Sequence, residues 1–523
     1  MQPAQGMRYL LSTMLACTSG RGNSVGEALK SLRSSVAADE SHPKGTIYYL
    51  ENRDVRSTAR EWGFRRAAEK LREIGVWSSV EQGLLPRNKP DVAGAMIGAS
   101  DFDWSTTGST IVPGAICEHL TSYGGALGEG EGQTPLTEFI RHGAAGASGT
   151  VTEPYAVQAK FPTPFVHYHY AQGCTLAEAF YQSVLGPYQL LIVGDGLCAP
   201  WKKRVAVRVD GVSDGAVLKG LIRISPSVTS TDPFTAAAFE LFLDGRRATG
   251  VLAGKALEFD TAQAPDGPHD LVITVSGTDS IATRASVRIP VVIRNGTGKV
   301  RVTAPTGDWP WDKPLRLSAD APGAKSVIFL HNFREVARIT GETGSVELDP
   351  RILGQGPVSI QPVATMNEST EVLGEPVLLR IKPPAALQPA SASSRLNLAN
   401  GFQITPRNGK PVALEASGGD WLTKAGVGKD GEFSIDGWFS VPATDVYQFQ
   451  LRGPGKFRIL VDGRPQDWPR GDGWWFVPVH LAKGRHRLHI ECKAEGAPQL
   501  EVRFGGPGSR RLDGARFQHA QTK

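Results

Sequence analysis

The residues able to do chemistry stand where strand-like runs end. Asp101 and Asp103 follow the apolar run Ala93–Ile97, His119 and Ser122 follow Thr110–Ile116, and Glu153 follows Ala145–Val151. A histidine and a serine are the types of a nucleophile and its general base. At i and i+3 on a strand end, however, their side chains point to opposite faces, so direct contact needs a bend. Asp101 and Asp103, joined by Glu153, offer paired carboxylates for a metal or for acid–base work. The competing reading is that the two aspartates satisfy loop or helix-cap amides. Cys117 lies late in its apolar run beside Glu118. Packing and an adjacent carboxylate both oppose a thiolate, so a buried thiol is expected there. His167 and His169 alternate in VHYHY, so an extended chain would present both imidazoles on one side. A transition metal could use such a pair, but no third ligand is evident, and structural histidines are the preferred reading. Trp474 and Trp475 are candidates for an aromatic platform that binds a sugar or peptide, with core packing as the alternative.

The elements that would position these groups alternate over residues 1–202. Strands are expected at Arg8–Leu15, Thr46–Leu50, Ala93–Ile97, Thr110–Ile116, Ala145–Val151 and Gln189–Val193. Between them, helices are expected at Ser24–Val36, Thr58–Ile74, Pro135–Arg141 and Leu176–Val184. In the first, Val25, Leu29 and Leu32 share a face; in the second, Trp62, Ala67, Leu71 and Ile74 do. Strand and helix in turn imply a mainly parallel sheet covered on both faces, with ligand-binding loops at the strands' carboxyl ends.

Beyond Lys202 the pattern becomes pure strand alternation. Residues 203–296 read as one β-sandwich and 297–383 as a second, of similar size and without a convincing residue-level repeat. Pro383–Ser394 is rich in Pro, Ala and Ser and marks a linker at 384–395. Residues 396–520 form a last β unit whose strands are joined by Asp-Gly and Lys-Gly turns. In it, Arg485, Arg487 and Lys493 are expected at solvated tips.

Bulk properties agree with several modules. A chain of 523 residues holds about three or four domains. Its 60 glycines and 36 prolines suit short strands and turns. A net charge of +5 without a long basic block gives no indication of nucleic acid. The five cysteines, Cys17, Cys117, Cys174, Cys198 and Cys492, include no CxxC pair, which argues against the usual zinc site and against a disulfide framework. No cofactor is expected. No apolar run reaches the roughly 20 residues of a membrane span. Met7–Cys17 has some features of a lipoprotein export signal, but its apolar run is short and a first strand is preferred.

Residues 396–517 resemble the β-barrel module first recognised in protective antigen. The resemblance rests on Gly437-Trp-Phe-Ser-Val-Pro, Tyr447-Gln-Phe-Gln-Leu, Arg458-Ile-Leu-Val-Asp-Gly, Leu481-Ala-Lys-Gly-Arg-His and Leu500-Glu-Val-Arg-Phe. Sugar-binding members hold Ca²⁺ with an Asp-Asp pair. This chain has Arg452-Gly-Pro-Gly-Lys there, without the oxygen ligands a hard cation needs. The first sandwich resembles bacterial immunoglobulin-like modules through Leu243-Asp-Gly, Phe259-Asp-Thr and Pro265-Asp-Gly-Pro-His-Asp-Leu. The second has a weaker resemblance of that kind.

Residues 7–201 resemble a family of bacterial surface-associated proteins distantly similar to gingipain-type, caspase-fold cysteine peptidases. The carriers are Gly114-Ala-Ile-Cys-Glu-His-Leu-Thr-Ser, Gly143-Ala-Ala-Gly-Ala-Ser-Gly-Thr-Val-Thr-Glu-Pro-Tyr, Leu176-Ala-Glu-Ala-Phe-Tyr and Gly194-Asp-Gly-Leu-Cys-Ala-Pro-Trp. Full-length members carry more sequence ahead of the first strand, so a shortened start is an expectation. The resemblance implies a histidine near Ile97–Ser100 and a cysteine near Leu120–Ser122, and neither is present. The expectation is therefore a three-layer α/β caspase-like domain, two β-sandwiches and a C-terminal β-barrel or jelly roll. Its function would be a cell-envelope or secreted scaffold with a degenerate peptidase domain and an unknown protein or glycan partner. The alternatives are a hydrolase with a rebuilt site, or a carbohydrate-binding accessory protein acting through the C-terminal module.

Overall fold

The computed structural model describes residues 13–128, 133–367, 370–389, 397–414, 420–466, 474–506 and 517–520. The chain is mostly β-sheet and forms two compact units, Met1–Lys202 with Ala386–Lys523, and Lys203–Ala385.

The first unit opens with β1 (Thr13–Met14), α1 (Val25–Ala38), β2 (Thr46–Glu51), α2 (Val55–Glu61), α3 (Phe64–Glu73), β3 (Trp77–Gln82) and β4 (Val92–Gly98). It continues with β5 (Ile111–Leu120), α4 (Thr137–Arg141), β6 (Gly146–Thr150), α5 (Val166–Ala171), α6 (Leu176–Ser183) and β7 (Leu190–Gly194). The seven strands form one sheet in the order β1-β7-β6-β5-β4-β2-β3. Strands β2 to β6 are parallel, in the doubly wound order that reverses between β2 and β4. The last strand, β7, runs antiparallel to β6 and carries β1 on its other side. All seven residues of β4 are buried, as befits a strand covered on both faces. Tyr48, Ala95, Cys117 and Phe139 share a core on one face. On the other, Tyr49 packs on Phe64 of α3 and His167 of α5.

Several expected elements differ. The strand Arg8–Leu15 is represented by Thr13–Met14; residues 1–12 lie outside the described residues. The helix expected over Thr58–Ile74 is two helices, broken at Trp62-Gly63, where Pro164 packs against Gly63. Trp62 is consequently 63% exposed, and only Ala67 and Leu71 of its proposed stripe are buried. Helix α1, capped by Ser24 and Glu27, packs through Ala28, Ser31, Ser35 and Ala38. Its Val25 and Leu29 face outward, because small residues let the helix approach the sheet closely enough for Ser31 to hydrogen-bond Ala144. VHYHY is helical, not extended, so His167 and His169 point apart. Strand β5 runs on to Leu120, which places Cys117, Glu118 and His119 inside the sheet.

The C-terminal module consists of an eight-stranded and a three-stranded sheet facing across one core. Among the described residues these are two separate sheets, not one closed barrel. Arg485, Arg487 and Lys493 lie along the outward side of strand Gly484–Ala494, with Arg487 and Lys493 exposed to solvent as expected. Residues of the expected linker also belong to the module: Leu387 pairs with Leu481 along the sheet edge. The three-stranded sheet meets the α/β layer. The Asp445 carboxylate accepts from the Val25 amide at the start of α1 at 3.2 Å. Gln448 Nε2 donates to the Gly128 carbonyl at 3.0 Å. A carboxylate at a 14-residue helix's positive end is favourable, and both side chains belong to buried residues. Asp445→Ala should therefore destabilise the unit by about 1–2 kcal/mol, with Asp445→Asn recovering part of the loss. A thermal melt in which all three proteins coincide would exclude this contact as a fastener.

The second unit contains two sandwiches, of three plus five and three plus six strands, one of the six pairing off the main path of its sheet. Asp266 fastens them. Its carboxylate accepts from the Asn295 and Gly296 amides, and its carbonyl accepts from Leu373 of the next sandwich at 2.7 Å.

One arrangement occurs in both units. Asp244-Gly245 and Asp462-Gly463 are hairpin turns with positive φ at both residues, as the two-residue turn requires. The turn aspartate reaches a histidine on a neighbouring strand: Asp244 to His269 Nδ1 at 2.7 Å, and Asp462 to His486 Nδ1 at 2.6 Å. Each Nε2 faces a carbonyl four residues earlier, Pro265 at 2.8 Å and Ala482 at 2.7 Å. A ring with acceptors at both nitrogens must donate from both, so each histidine is an imidazolium.

Candidate functional site

In a doubly wound sheet the strands' carboxyl ends are the expected place for a site. Here that edge is filled by the chain itself. At the switch point, Asn52 donates to the Gly98 carbonyl at 3.1 Å. The first turn of α2 lies so close that a Cβ on Gly98 would stand 2.2 Å from the Ser57 amide nitrogen. Between β4 and β5 a returning segment crosses the strand ends, with the Thr134 amide on the Ser100 carbonyl and Thr134 Oγ1 donating to the Phe102 carbonyl. Between β5 and β6, Thr150 Oγ1 donates to the Thr121 and Ser122 carbonyls, and a Cβ on Gly125 would lie 2.3 Å from the Gly149 oxygen.

The candidate residues sit within or around this closed edge. His119 is fully buried, and its Nε2 donates to the Thr134 carbonyl at 2.9 Å. Phe102 and Phe139 pack edgewise on its ring at 5.1 and 5.5 Å. Burial pushes its pKa down to about 4, so the ring is neutral at physiological pH. Ser122 is half-buried; its amide donates to Gln133 and its carbonyl accepts from Thr150. No hydrogen bond joins His119 to Ser122 among the described residues. Asp101 is exposed after β4. Asp103 caps the short helical turn Trp104–Thr106 through the Ser105 amide. The Glu153 carboxylate accepts from the Tyr155 amide in its own turn at 2.8 Å. Asp103 and Glu153 thus each serve a local backbone amide.

Cys117 is fully buried, and desolvation raises its pKa strongly. Glu118 is not the cause, since its side chain points to the opposite face of β5. His167 is also buried; Nε2 donates to the Ile116 carbonyl, and burial lowers its pKa to about 4. His169, on another face of α5, is half-buried. Trp475 packs edgewise on Phe457 at 5.6 Å and joins the module's core. The Trp474 side chain lies outside the described residues. No group of three His, Cys, Asp or Glu side chains suited to a metal occurs among the described residues.

The strongest polar feature was not expected. Glu118 on β5 and Arg60 on α2 form an ion pair in which both side chains are 0% exposed. Arg60 also donates to the Ile97 carbonyl at 2.6 Å, and Ser148 donates to Glu118 at 3.0 Å. Burial raises the Glu118 pKa, while Arg60 and Ser148 pull it back by stabilising the carboxylate. A sequence signal for it existed: an acid inside a strand buried on both faces needs a cation.

No helix among the described residues is long and apolar enough to cross a membrane. No family model and no curated protein matches the chain. Among solved structures it is similar to the fibronectin(III)-like modules of CbhA from Clostridium thermocellum, at 17% identity over 34% of this chain and 93% of that one (TM-score 0.15). It is similar to SGBP-B of the Bacteroides ovatus mixed-linkage glucan utilization locus, solved with a mixed-linkage heptasaccharide, at 10% identity over 57% and 99% (TM-score 0.21). The central fibronectin-III array of RIM-binding protein is similar at 11% identity over 61% and 97% (TM-score 0.16). At these scores the likeness is one of β-module style, and neither chemistry nor partner follows from it.

Proposed function

We propose that this protein is a secreted or cell-envelope binding scaffold. Its α/β domain is a catalytically degenerate relative of caspase-fold peptidases, and its β modules meet a protein or glycan partner. The observation that carries the reading is the state of His119. A general base needs a lone pair that reaches the reacting group. The His119 Nε2 is committed to a carbonyl, and Nδ1 is buried without a hydrogen-bond partner among the described residues. The hydrolase alternative would need this ring to leave its aromatic enclosure and Ser122 to swing toward it. Nothing in the geometry favours that movement.

The test is chemical. Incubated at neutral pH with iodoacetamide, Cys117 should label at least tenfold more slowly than a free thiol, because desolvation disfavours the thiolate. An acyl-transfer activity probe should leave Ser122 unmodified, and Arg- and Lys-containing peptides should remain intact. Probe labelling that is lost in Ser122→Ala, or thiol-dependent cleavage with rapid Cys117 alkylation, would overturn the reading.

A further inference from the structure

The C-terminal module carries a shallow groove of about 600 Å³ on the outward side of its larger sheet. Its walls hold four cations, Arg407, Lys456, Arg458 and Lys493, and two carboxylates, Glu432 and Glu491. The carboxylates are already engaged. Glu432 is bound by Arg407 and lies 3.7 Å from Lys493, and Glu491 lies 3.3 Å from Arg458. Lys456 has no ion-pair partner among the described residues.

Strand register sharpens this imbalance. Lys456 stands directly opposite Lys493 on the neighbouring strand. Like charges in directly opposed positions destabilise an antiparallel pair. Glu432 stands opposite Lys493 on its other side and offsets part of this repulsion, but Lys456 has no such carboxylate among the described residues. An anion placed between the two ammonium groups would remove the repulsion.

We propose that this groove binds an acidic polysaccharide, with a sugar carboxylate seated between Lys456 and Lys493. The inference rests on the binding-scaffold reading and gives its partner a chemistry. The two retained carboxylates disfavour a densely charged polyanion such as nucleic acid, which carries about one charge per 1.7 Å. They suit a chain whose charges are spaced one per sugar, because Glu432 and Glu491 can accept hydrogen bonds from sugar hydroxyls. Thr405 and Ser434 add hydroxyls. The groove shares Lys456 with the segment Arg452-Gly-Pro-Gly-Lys considered above, but its ligand would be held by cations and not through Ca²⁺.

The experiment uses the full chain with polygalacturonate, neutral dextran and polyglutamate as probes. Polygalacturonate should bind, and its affinity should fall as NaCl rises from about 0.05 to about 0.5 M. The double variant Lys456→Gln/Lys493→Gln should bind at least tenfold more weakly, with a melting temperature equal to or above the parent's. That second readout separates loss of a ligand site from loss of fold. Polygalacturonate binding unchanged in the variant would overturn the groove while leaving glycan binding intact. Equal or tighter binding of polyglutamate would overturn the choice of a polysaccharide. Binding of dextran alone would overturn the acidic ligand but keep the scaffold reading. Failure of every glycan would refute the groove and remove the glycan partner from that reading, leaving a protein partner.

Discussion

Arg60→Met alone will destabilise the first unit by about 3–5 kcal/mol, because it strands the Glu118 carboxylate where no water reaches it. Glu118→Leu alone will do comparable damage by leaving the guanidinium unpaired. The double replacement should recover most of the loss, since an apolar pair of similar volume avoids both desolvation penalties. Ser148 tempers the recovery, for its hydroxyl would lose the Glu118 acceptor. A double-mutant cycle read from thermal or urea unfolding gives the coupling. If either single variant unfolds like the parent, the pair does not hold β5 to α2. The magnitude is large compared with exposed pairs such as Arg66–Glu69, whose side chains are 57% and 52% exposed and which should be worth at most about 1 kcal/mol.

The second large effect is a pH dependence of the β modules. Burial by itself would lower the pKa of His486 and His269, yet both are raised, by the carboxylates of Asp462 and Asp244 and by the Ala482 and Pro265 carbonyls. Asp266 adds to the field at His269. The folded state therefore holds these protons more tightly than the unfolded chain, whose histidines titrate near about 6.5. The resulting stability is fully present below that value and is lost as pH rises through the raised folded pKa. Asp244 contributes a second limb of opposite sense. Its pKa is lowered, despite burial that would raise it, by His269 and the Asp270 amide, so its share is lost as the medium is acidified. Calorimetric scans from about pH 6 to about pH 10 should show the module transitions moving down. In His486→Gln/His269→Gln that alkaline slope should flatten. At neutral pH, His486→Gln should cost about 2–3 kcal/mol, because Asp462, with a side chain only 11% exposed, loses its His486 partner. An unchanged slope in the double variant would refute the imidazolium assignment.

The second sandwich supplies an internal contrast. Val358 follows Gly356-Pro357 as His269 follows Gly267-Pro268, and it is buried. Its hairpin turn is Asn332-Phe333, with positive φ at both residues and no turn carboxylate. The charged pair is thus one way, and an apolar residue another, of filling the same kind of position. Residue matching between the two sandwiches gave no convincing repeat because equivalent positions are filled by different chemistry, His269 in one and Val358 in the other.

By itself the sequence indicated most strands and helices of the first 202 residues, though not β3 or α5, and the turn to pure strand alternation after them. Runs such as Ala93–Ile97 have no polar face to offer solvent, and Asp-Gly turns restrict the hairpins they close. It also pointed to a buried thiol at Cys117, late in an apolar run, and the structure places that residue fully out of solvent. Only the tertiary structure decided which faces are buried. Periodicity places Val25 and Leu29 on one side of α1, but the sheet takes the small side, because close approach there yields more contact and a hydrogen bond to Ala144. Helix α3 starts afresh after Gly63 because Pro164, a hundred residues further on, packs there. VHYHY alternates like a strand and folds as a helix because His167 and Tyr170, three apart, both reach carbonyls of β5. The site followed the same rule. Spacing brought His119 and Ser122 near each other in the chain, while the segment around Gln133-Thr134 divided them in space. Arg60 meets Glu118 across 58 residues, a pairing that no local period encodes. Burial, partner and access are properties of packed neighbours, and they separate residues with the types of a catalytic site from a site that can act.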